Sequence, residues 1–278
     1  MDGHFRAFSF VDRITRPGMN VRGLYQIPSG IAEFPLALAA EACGQLAAWT
    51  GMAAHDFKLR PVAGIAPVVE LLAPVRPGQL LELESDIDSL DAEAISYNAL
   101  AKVDGVPVLR LQHCVGPMVP VEEFDDPSAL KQRFELICGA GALPGAFNGL
   151  PSLPLEVTAV DPGKSARALL HVPASAGFFA DHFPRRPVFP GTLFMYQVTE
   201  LAARVAAGVA APSGNTSWVP RRINDTKLRT FIPPGTGLEL EARLAKQEGA
   251  ALTIHVEAKK DNRVTGHSRI VFMAEARA

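Results

Sequence analysis

Cysteine is scarce in this chain. Cys43, Cys114 and Cys138 are the only three in 278 residues, and no two stand as Cys-x-x-Cys. An odd, widely spaced set excludes a disulfide framework and a thiolate metal site. It reads as small buried hydrophobes in a reducing compartment, so a cytoplasmic protein is expected. Excess charge of either sign is missing too: 27 Lys and Arg stand against 29 Asp and Glu, a net −2, which supplies no general field for nucleic acid or an anionic membrane. The most apolar window, residues 31–54, is interrupted by Glu33 and Glu41 and followed by His55, so it falls short of a membrane span. The opening Met1-Asp2-Gly3-His4-Phe5 has no basic or apolar leader character, and no signal peptide is expected. No Gly-x-Ser-x-Gly elbow is present, which removes the usual serine-hydrolase reading. Gly139-Ala140-Gly141 with Gly145 has the wrong spacing for a nucleotide loop. His113 and Cys114, adjacent in a strand-like run, face opposite ways and cannot chelate together.

What the chain has instead is one very stiff loop. His182-Phe183-Pro184-Arg185-Arg186-Pro187-Val188-Phe189-Pro190-Gly191 runs straight into the apolar, helix-like stretch Thr192 to Val205. Its prolines restrict the backbone, holding the imidazole in one place beside the unsatisfied N–H groups of a helix start. A base and an oxyanion donor then sit side by side.

The chain also repeats itself. Aligning Pro35-Leu36-Ala37-Leu38-Ala39-Ala40-Glu41-Ala42 with the helix that starts at Pro190 sets Glu41 opposite Tyr196. Arg76-Pro77-Gly78-Gln79-Leu80 answers Pro233-Pro234-Gly235-Thr236-Gly237, and Ala101-Lys102-Val103-Asp104 answers Ala258-Lys259-Lys260-Asp261. Such a repeat means two copies of one domain. After Tyr25-Gln26-Ile27-Pro28, which matches Leu170-His171-Val172-Pro173, the first copy lacks the stretch that carries His182 in the second.

The histidine loop resembles the active-site loop of the β-hydroxyacyl-(acyl carrier protein) dehydratases of the FabA/FabZ type, His-Phe-Pro-Gly-x-Pro-x-x-Pro-Gly followed by the central helix of a hotdog fold. Arg185 replaces one glycine of that pattern. The family also has a carboxylate fourteen positions after the histidine, where this chain has Tyr196; in the first copy Pro35 to Gln45 resembles the family's Pro-Gly-x-Leu-x-x-Glu-Ala-x-x-Gln, and Glu41 is that carboxylate. In family dimers the histidine of one subunit works with the carboxylate of the other. The resemblance therefore implies an α+β double hotdog, a fused pseudo-dimer with one complete site made by His182 and Glu41. The expected layout is a first hotdog over 1–119 carrying Glu41, a linker over 120–152 with a helix near Ser128 to Ile137, and a second hotdog over 153–278 carrying the His182 loop. Strands are expected near Phe8 to Thr15, Arg22 to Ile27, Ile65 to Leu72, Leu80 to Ile87, Ala94 to Val103 and Pro107 to Val115, with a parallel series in the second copy ending with Ile223 to Ile232, Gly237 to Ala245, Ala251 to Lys259 and Val264 to Met273.

The implied reaction is reversible dehydration of a 3-hydroxyacyl thioester on acyl carrier protein. His182 takes the α-proton, Glu41, kept protonated by its apolar helix, donates to the leaving hydroxyl, and the Gly191 N–H meets the thioester oxygen. No cofactor or metal is called for. Phe183, Pro190 and Thr192 are candidates for contact with the substrate. Arg186, Arg222 and Arg229, with Arg185, Arg221 and Lys227 nearby in sequence, are candidates for docking an acidic carrier. Tyr196 and Glu200, one turn apart, read as packing or a hydrogen-bonded pair. Rival readings are an enoyl-CoA hydratase, a dehydratase that also isomerises the double bond, and a non-catalytic acyl-binding partner of a larger synthase.

Overall fold

Alternation of apolar and polar residues builds the sheet of this protein. In the strand Ala251–Lys260, Leu252, Ile254, Val256 and Ala258 are buried while their neighbours are not, the period of a sheet with one covered face. The computed structural model describes residues 4–276; Met1 to Gly3 and the last two residues, and so part of the opening read for a leader, lie outside the described residues. In chain order the elements are β1 (Arg13–Arg16), β2 (Asn20–Gln26), α1 (Leu36–Ala54), β3 (Leu59–Pro61), β4 (Ile65–Leu71), β5 (Leu80–Leu90), β6 (Ala94–Val103), β7 (Val106–Pro120) and α2 (Pro127–Cys138). Then follow β8 (Leu155–Asp161), β9 (Ser165–His171), α3 (Gly191–Ala207), β10 (Thr216–Leu228), β11 (Gly237–Glu248), β12 (Ala251–Lys260) and β13 (Arg263–Ala276).

The strands run β1-β2-β5-β6-β7-β4 and then β10-β13-β12-β11-β9-β8, so the second half repeats the order of the first in mirror sequence. The halves meet where β4 pairs antiparallel with β10, from Glu70 opposite Arg222 to Ile65 opposite Lys227. α1 and α3 lie on their own half of this sheet and pack against each other. This is a double hotdog. The repeat extends to the backbone: the two-residue hairpin Asp104-Gly105 has φ of 50° and 74°, and Asp261-Asn262 has 51° and 60°, the left-handed pair that a tight hairpin with the natural strand twist requires. α1 is buried on most of its surface, Ala37, Leu38, Ala39, Ala40, Ala42, Cys43 and Leu46 included; its small residues let sheet and sister helix approach closely. Among the described residues no helix is long and apolar enough to cross a membrane.

The details depart from expectation in four places. The strand expected from Phe8 begins only at Arg13, because the N–H groups of Phe8 and Phe10 bond to the side chains of Asp181 and Gln45 instead of a neighbouring strand. β3 was unforeseen and pairs with β7. β10 starts earlier than expected, at Thr216, and stops at Leu228, before Pro233 and Pro234, which have no N–H to give a ladder. The stretch 120–152 packs as well as connects: α2, capped by Asp126 and started by Pro127, lies on β1 and α1. Its tail buries Phe147 against Phe10 and Phe34, with ring centroids 5.2 and 6.0 Å apart.

Candidate active site

His182 follows a short 3-10 turn, Gly177–Ala180, and its own N–H donates to Phe178 O. The residue before it does much of the anchoring. Asp181 accepts hydrogen bonds from the backbone N–H groups of Phe5 (2.5 Å), Ala7 (2.8 Å) and Phe8 (2.6 Å), which folds the N-terminal segment over the loop. Burial raises the Asp181 carboxyl above its ordinary range, and those three donors act against that rise. Further along, Val188 N–H donates to His182 O, and His182 Nδ1 lies 2.8 Å from Val188 O. A carbonyl only accepts, so Nδ1 carries the hydrogen and the neutral ring presents Nε2 as an acceptor. Burial lowers the His182 pKa below the ordinary histidine value, against the opposing pull of the Glu41 charge. The ring is thus held in the tautomer and charge state of a base.

Glu41 stands on the second turn of α1, in the other half of the molecule. Its Oε2 accepts from Thr192 Oγ1 at 2.6 Å and its Oε1 from Gln45 Nε2 at 3.0 Å. Gln45 cannot turn over without loss, since its Oε1 accepts from Phe10 N–H and its Nε2 also donates to Phe8 O. The carboxyl is therefore aimed by one residue from each half. His182 and Glu41 line a single cavity of about 210 Å³. No direct hydrogen bond joins them among the described residues; they share the wall of one cavity.

Gly191 and Thr192 begin α3 in the wall of the same cavity. Pro190 is the N-cap residue and gives no side-chain cap, so the first N–H groups of the helix are unspent. A Cβ on Gly191 would come within 3.3 Å of Leu228 Cδ1 and 3.6 Å of Ala63 Cβ; glycine keeps this approach open. Beyond Glu41 the cavity continues between α1 and the first half's sheet, along Gly44, Ala48 and Met52 on one side and Ile95, Tyr97 and Cys114 on the other.

Of the residues singled out from the sequence, His182, Glu41, Gly191, Thr192 and Phe183 come together in this cavity. Pro190 is buried behind it as the helix cap, and Thr192 spends its hydroxyl on Glu41. The arginines do not form a patch of free charge. Arg186 pairs with Glu123 at 3.2 Å and lies over Phe124 and Phe231, Arg222 pairs with Glu70 at 2.7 Å, Arg185 with Asp126 and Arg221 with Glu275. Arg229 and Lys227 have no ion pair among the described residues. Tyr196 is half-buried against the core and makes no hydrogen bond with Glu200; burial raises its hydroxyl pKa, with Glu200 and Glu33 adding to the rise. Sequence reasoning passed over Arg60, Asp125 and Asp181, all in the cavity wall. Asp181 alone carried a signal, as the immediate neighbour of the histidine.

Comparison with known proteins gives the family and the fold. The ApeI-like family model, described as ApeI dehydratase, matches residues 159–267, a span that holds His182 and not Glu41. The 3-hydroxyacyl-[acyl-carrier-protein] dehydratase FabZ of Clostridium tetani is 32% identical over 118 residues, 42% of this chain and 82% of that protein. That of Rickettsia bellii is 28% identical over 118 residues, 42% of this chain and 81% of that protein. Among solved structures, the tesB protein of Mycobacterium avium subspecies paratuberculosis superposes with a TM-score of 0.58 at 11% identity, covering 94% of this chain and 96% of that one. An acyl-CoA thioesterase II TesB2 from Mycobacterium marinum does so with a TM-score of 0.52 at 10% identity, covering 94% and 93%. At such identities these two share the fold.

Proposed function

This chain belongs to the FabZ family of 3-hydroxyacyl-[acyl-carrier-protein] dehydratases, and we propose from that premise that its one composite site, His182 with Glu41, removes water from 3-hydroxyacyl thioesters to give trans-2-enoyl thioesters. The observation that carries the reading is the meeting of these two side chains, one from each half, in one cavity. His182 Nε2 takes the α-proton; the carbonyl of Val188 on Nδ1–H fixes the ring and steadies the imidazolium that forms. Glu41 delivers a proton to the leaving β-hydroxyl, which departs as water. The cycle closes when the proton on His182 reaches Glu41. Charge that builds on the thioester oxygen meets the Gly191 N–H at the positive end of α3. The electrons of the α-C–H bond form the double bond as the β-C–O bond breaks, with no net change of oxidation state, so the steps ask for no metal or redox group.

Acyl carrier protein is the partner that brings the substrate, on its pantetheine arm. Docking falls to the cations still free at the edge of the second half, Arg229 and Lys227, with Arg186 and Arg222 as paired contributors whose acidic neighbours Glu123 and Glu70 blunt their pull. The cytoplasm is the compartment that suits three free thiols. The test is a direct assay with crotonyl and 3-hydroxybutyryl thioesters of carrier protein and of coenzyme A. Turnover of the carrier-bound pair above the coenzyme A pair is expected, lost in His182→Ala and in Glu41→Gln. Turnover of neither would leave only an acyl-binding role.

A further inference from the structure

Arg60 shares the cavity with His182 and Glu41 and has no part in the proton transfers above. It comes from β3, held against Val119 of β7, and its side chain is nine-tenths buried. Of its five N–H donors, one reaches Asp125 Oδ2 at 3.4 Å and Nε has no partner among the described residues. Burial pushes its pKa down to about 10, with Asp125 acting against the fall, so the guanidinium stays charged at neutral pH. A buried cation this poorly hydrogen-bonded costs several kcal/mol. What it gains is an aromatic ring: its guanidinium carbon lies 3.9 Å from the centroid of Phe183, the face-on contact that a planar cation makes with a π-face. The imidazole of His182 stacks on the same Phe183, with centroids 4.1 Å apart and planes 22° apart. Phe124 closes the edge of that ring at 5.4 Å.

We propose that Arg60 is a positioning residue for the base: by clamping Phe183 it holds the His182 ring against its partner carbonyl. Among the described residues the titratable and charged groups around the imidazole are Glu41 from α1, Arg60 from β3, Asp125 after β7 with His4 at 3.4 Å from it, and Asp181 beside the histidine, the last spent on three backbone N–H groups. Glu41 favours protonation of His182, and Arg60 opposes it. Removing Arg60 leaves burial alone to oppose Glu41.

This inference rests on His182 being the base, and the experiment separates the two. The His182 imidazole is titrated by NMR in the full-length chain labelled at histidine, alongside the pH profile of kcat/KM. Arg60→Gln is expected to move the His182 midpoint up by roughly half a pH unit or more, with the acidic limb of kcat/KM following it. Its kcat falls by about tenfold while KM changes less than about twofold. Arg60→Lys keeps the midpoint, because the charge remains, but recovers only part of kcat, because the planar stack is gone. Since Arg60→Gln takes one partner from buried Asp125, leaving it His4 and the N–H of Asp126, Asp125→Asn is also compared with Asp125→Asn/Arg60→Gln, where that carboxylate is absent. A His182 midpoint that moves in neither comparison overturns the role of Arg60 even if His182→Ala is inactive. Activity retained in His182→Ala overturns the base assignment, whatever the midpoint does.

Discussion

Glu41 and Tyr196 occupy the same place on α1 and α3, each on the second turn after a proline cap, yet their surroundings have little in common. Around Glu41 the second half supplies a histidine with a fixed tautomer and a threonine hydroxyl, and a cavity opens beyond. Around Tyr196 the first half supplies only the short connection 28–35, whose Glu33 lies close enough to act on the tyrosine hydroxyl. Phe34 of that connection is packed by Phe147 from the stretch after α2. One half has kept a long loop and the other has filled the corresponding place with aromatic rings. A proton-transfer site depends on the loop more than on the helix, and a helix carboxylate without the loop has nothing to work with.

The largest expected effect falls on the equipped side. His182→Ala and Glu41→Gln each lower kcat/KM by about 10²- to 10⁴-fold with the melting temperature little changed, the range of a general acid or base. A drop of similar size in Tyr196→Phe would restore the second side as a site and break the comparison. The pH profile sharpens it. Because the folded His182 has its pKa below the ordinary 6.5, kcat/KM stays level down through that value and falls only at more acid pH, as the base becomes protonated. An acidic limb above 6.5 would show that the pair rests with its proton on His182 and Glu41 ionised, and not with the proton on Glu41 as the transfer requires.

Charge reversal at Arg229 is expected to raise KM for a carrier-bound substrate by several-fold, in a salt-sensitive way, while a pantetheine thioester is spared, since steering acts on the protein partner. Arg222→Glu and Arg186→Glu do less at the carrier and more to local pairing, as their acidic partners are already in place. Tyr196→Glu tests whether a carboxylate alone makes a site. It leaves activity within about twofold and fails to rescue Glu41→Gln, because no histidine faces it. Tyr196→Phe is the mildest change, with less than about a twofold effect on kcat/KM, since the hydroxyl makes no hydrogen bond among the described residues.

The chain spelled out much of this in advance because a hotdog writes its helix and strands as periodic runs, and because the loop around His182 is defined by residue type and spacing. Glu41 was legible through the repeat alone. What stayed hidden has no period and no short-range partner. Phe5, Ala7 and Phe8 bond by their main chain to a carboxylate more than 170 residues away, which any side chains at those positions would permit. Arg60 and Asp125 look like two charges among many until β3 and the end of β7 bring them under the active-site loop. The pairing of Arg185, Arg186, Arg221 and Arg222 was hidden for the related reason that a sequence displays cations without their ion pairs. Arg185, the departure from the family's loop pattern, donates to Glu122 O and pairs with Asp126; it fastens the loop to the stretch after β7.

The β4–β10 seam carries a consequence of its own. In its register Glu70 faces Arg222 at one end and Ile65 faces Lys227 at the other, next to the pair Ala66 and Thr226, and a two-fold axis through the middle of the seam exchanges those ends. Two separate copies of one chain must place the same residues at both, so a substitution that helps one end is imposed on the other. Here one end holds an ion pair, and the other gives Ala66 and Thr226 to the wall of the cavity. Joining the copies released each end from its twin, leaving one to be selected for cohesion and the other for the shape of the molecule it admits.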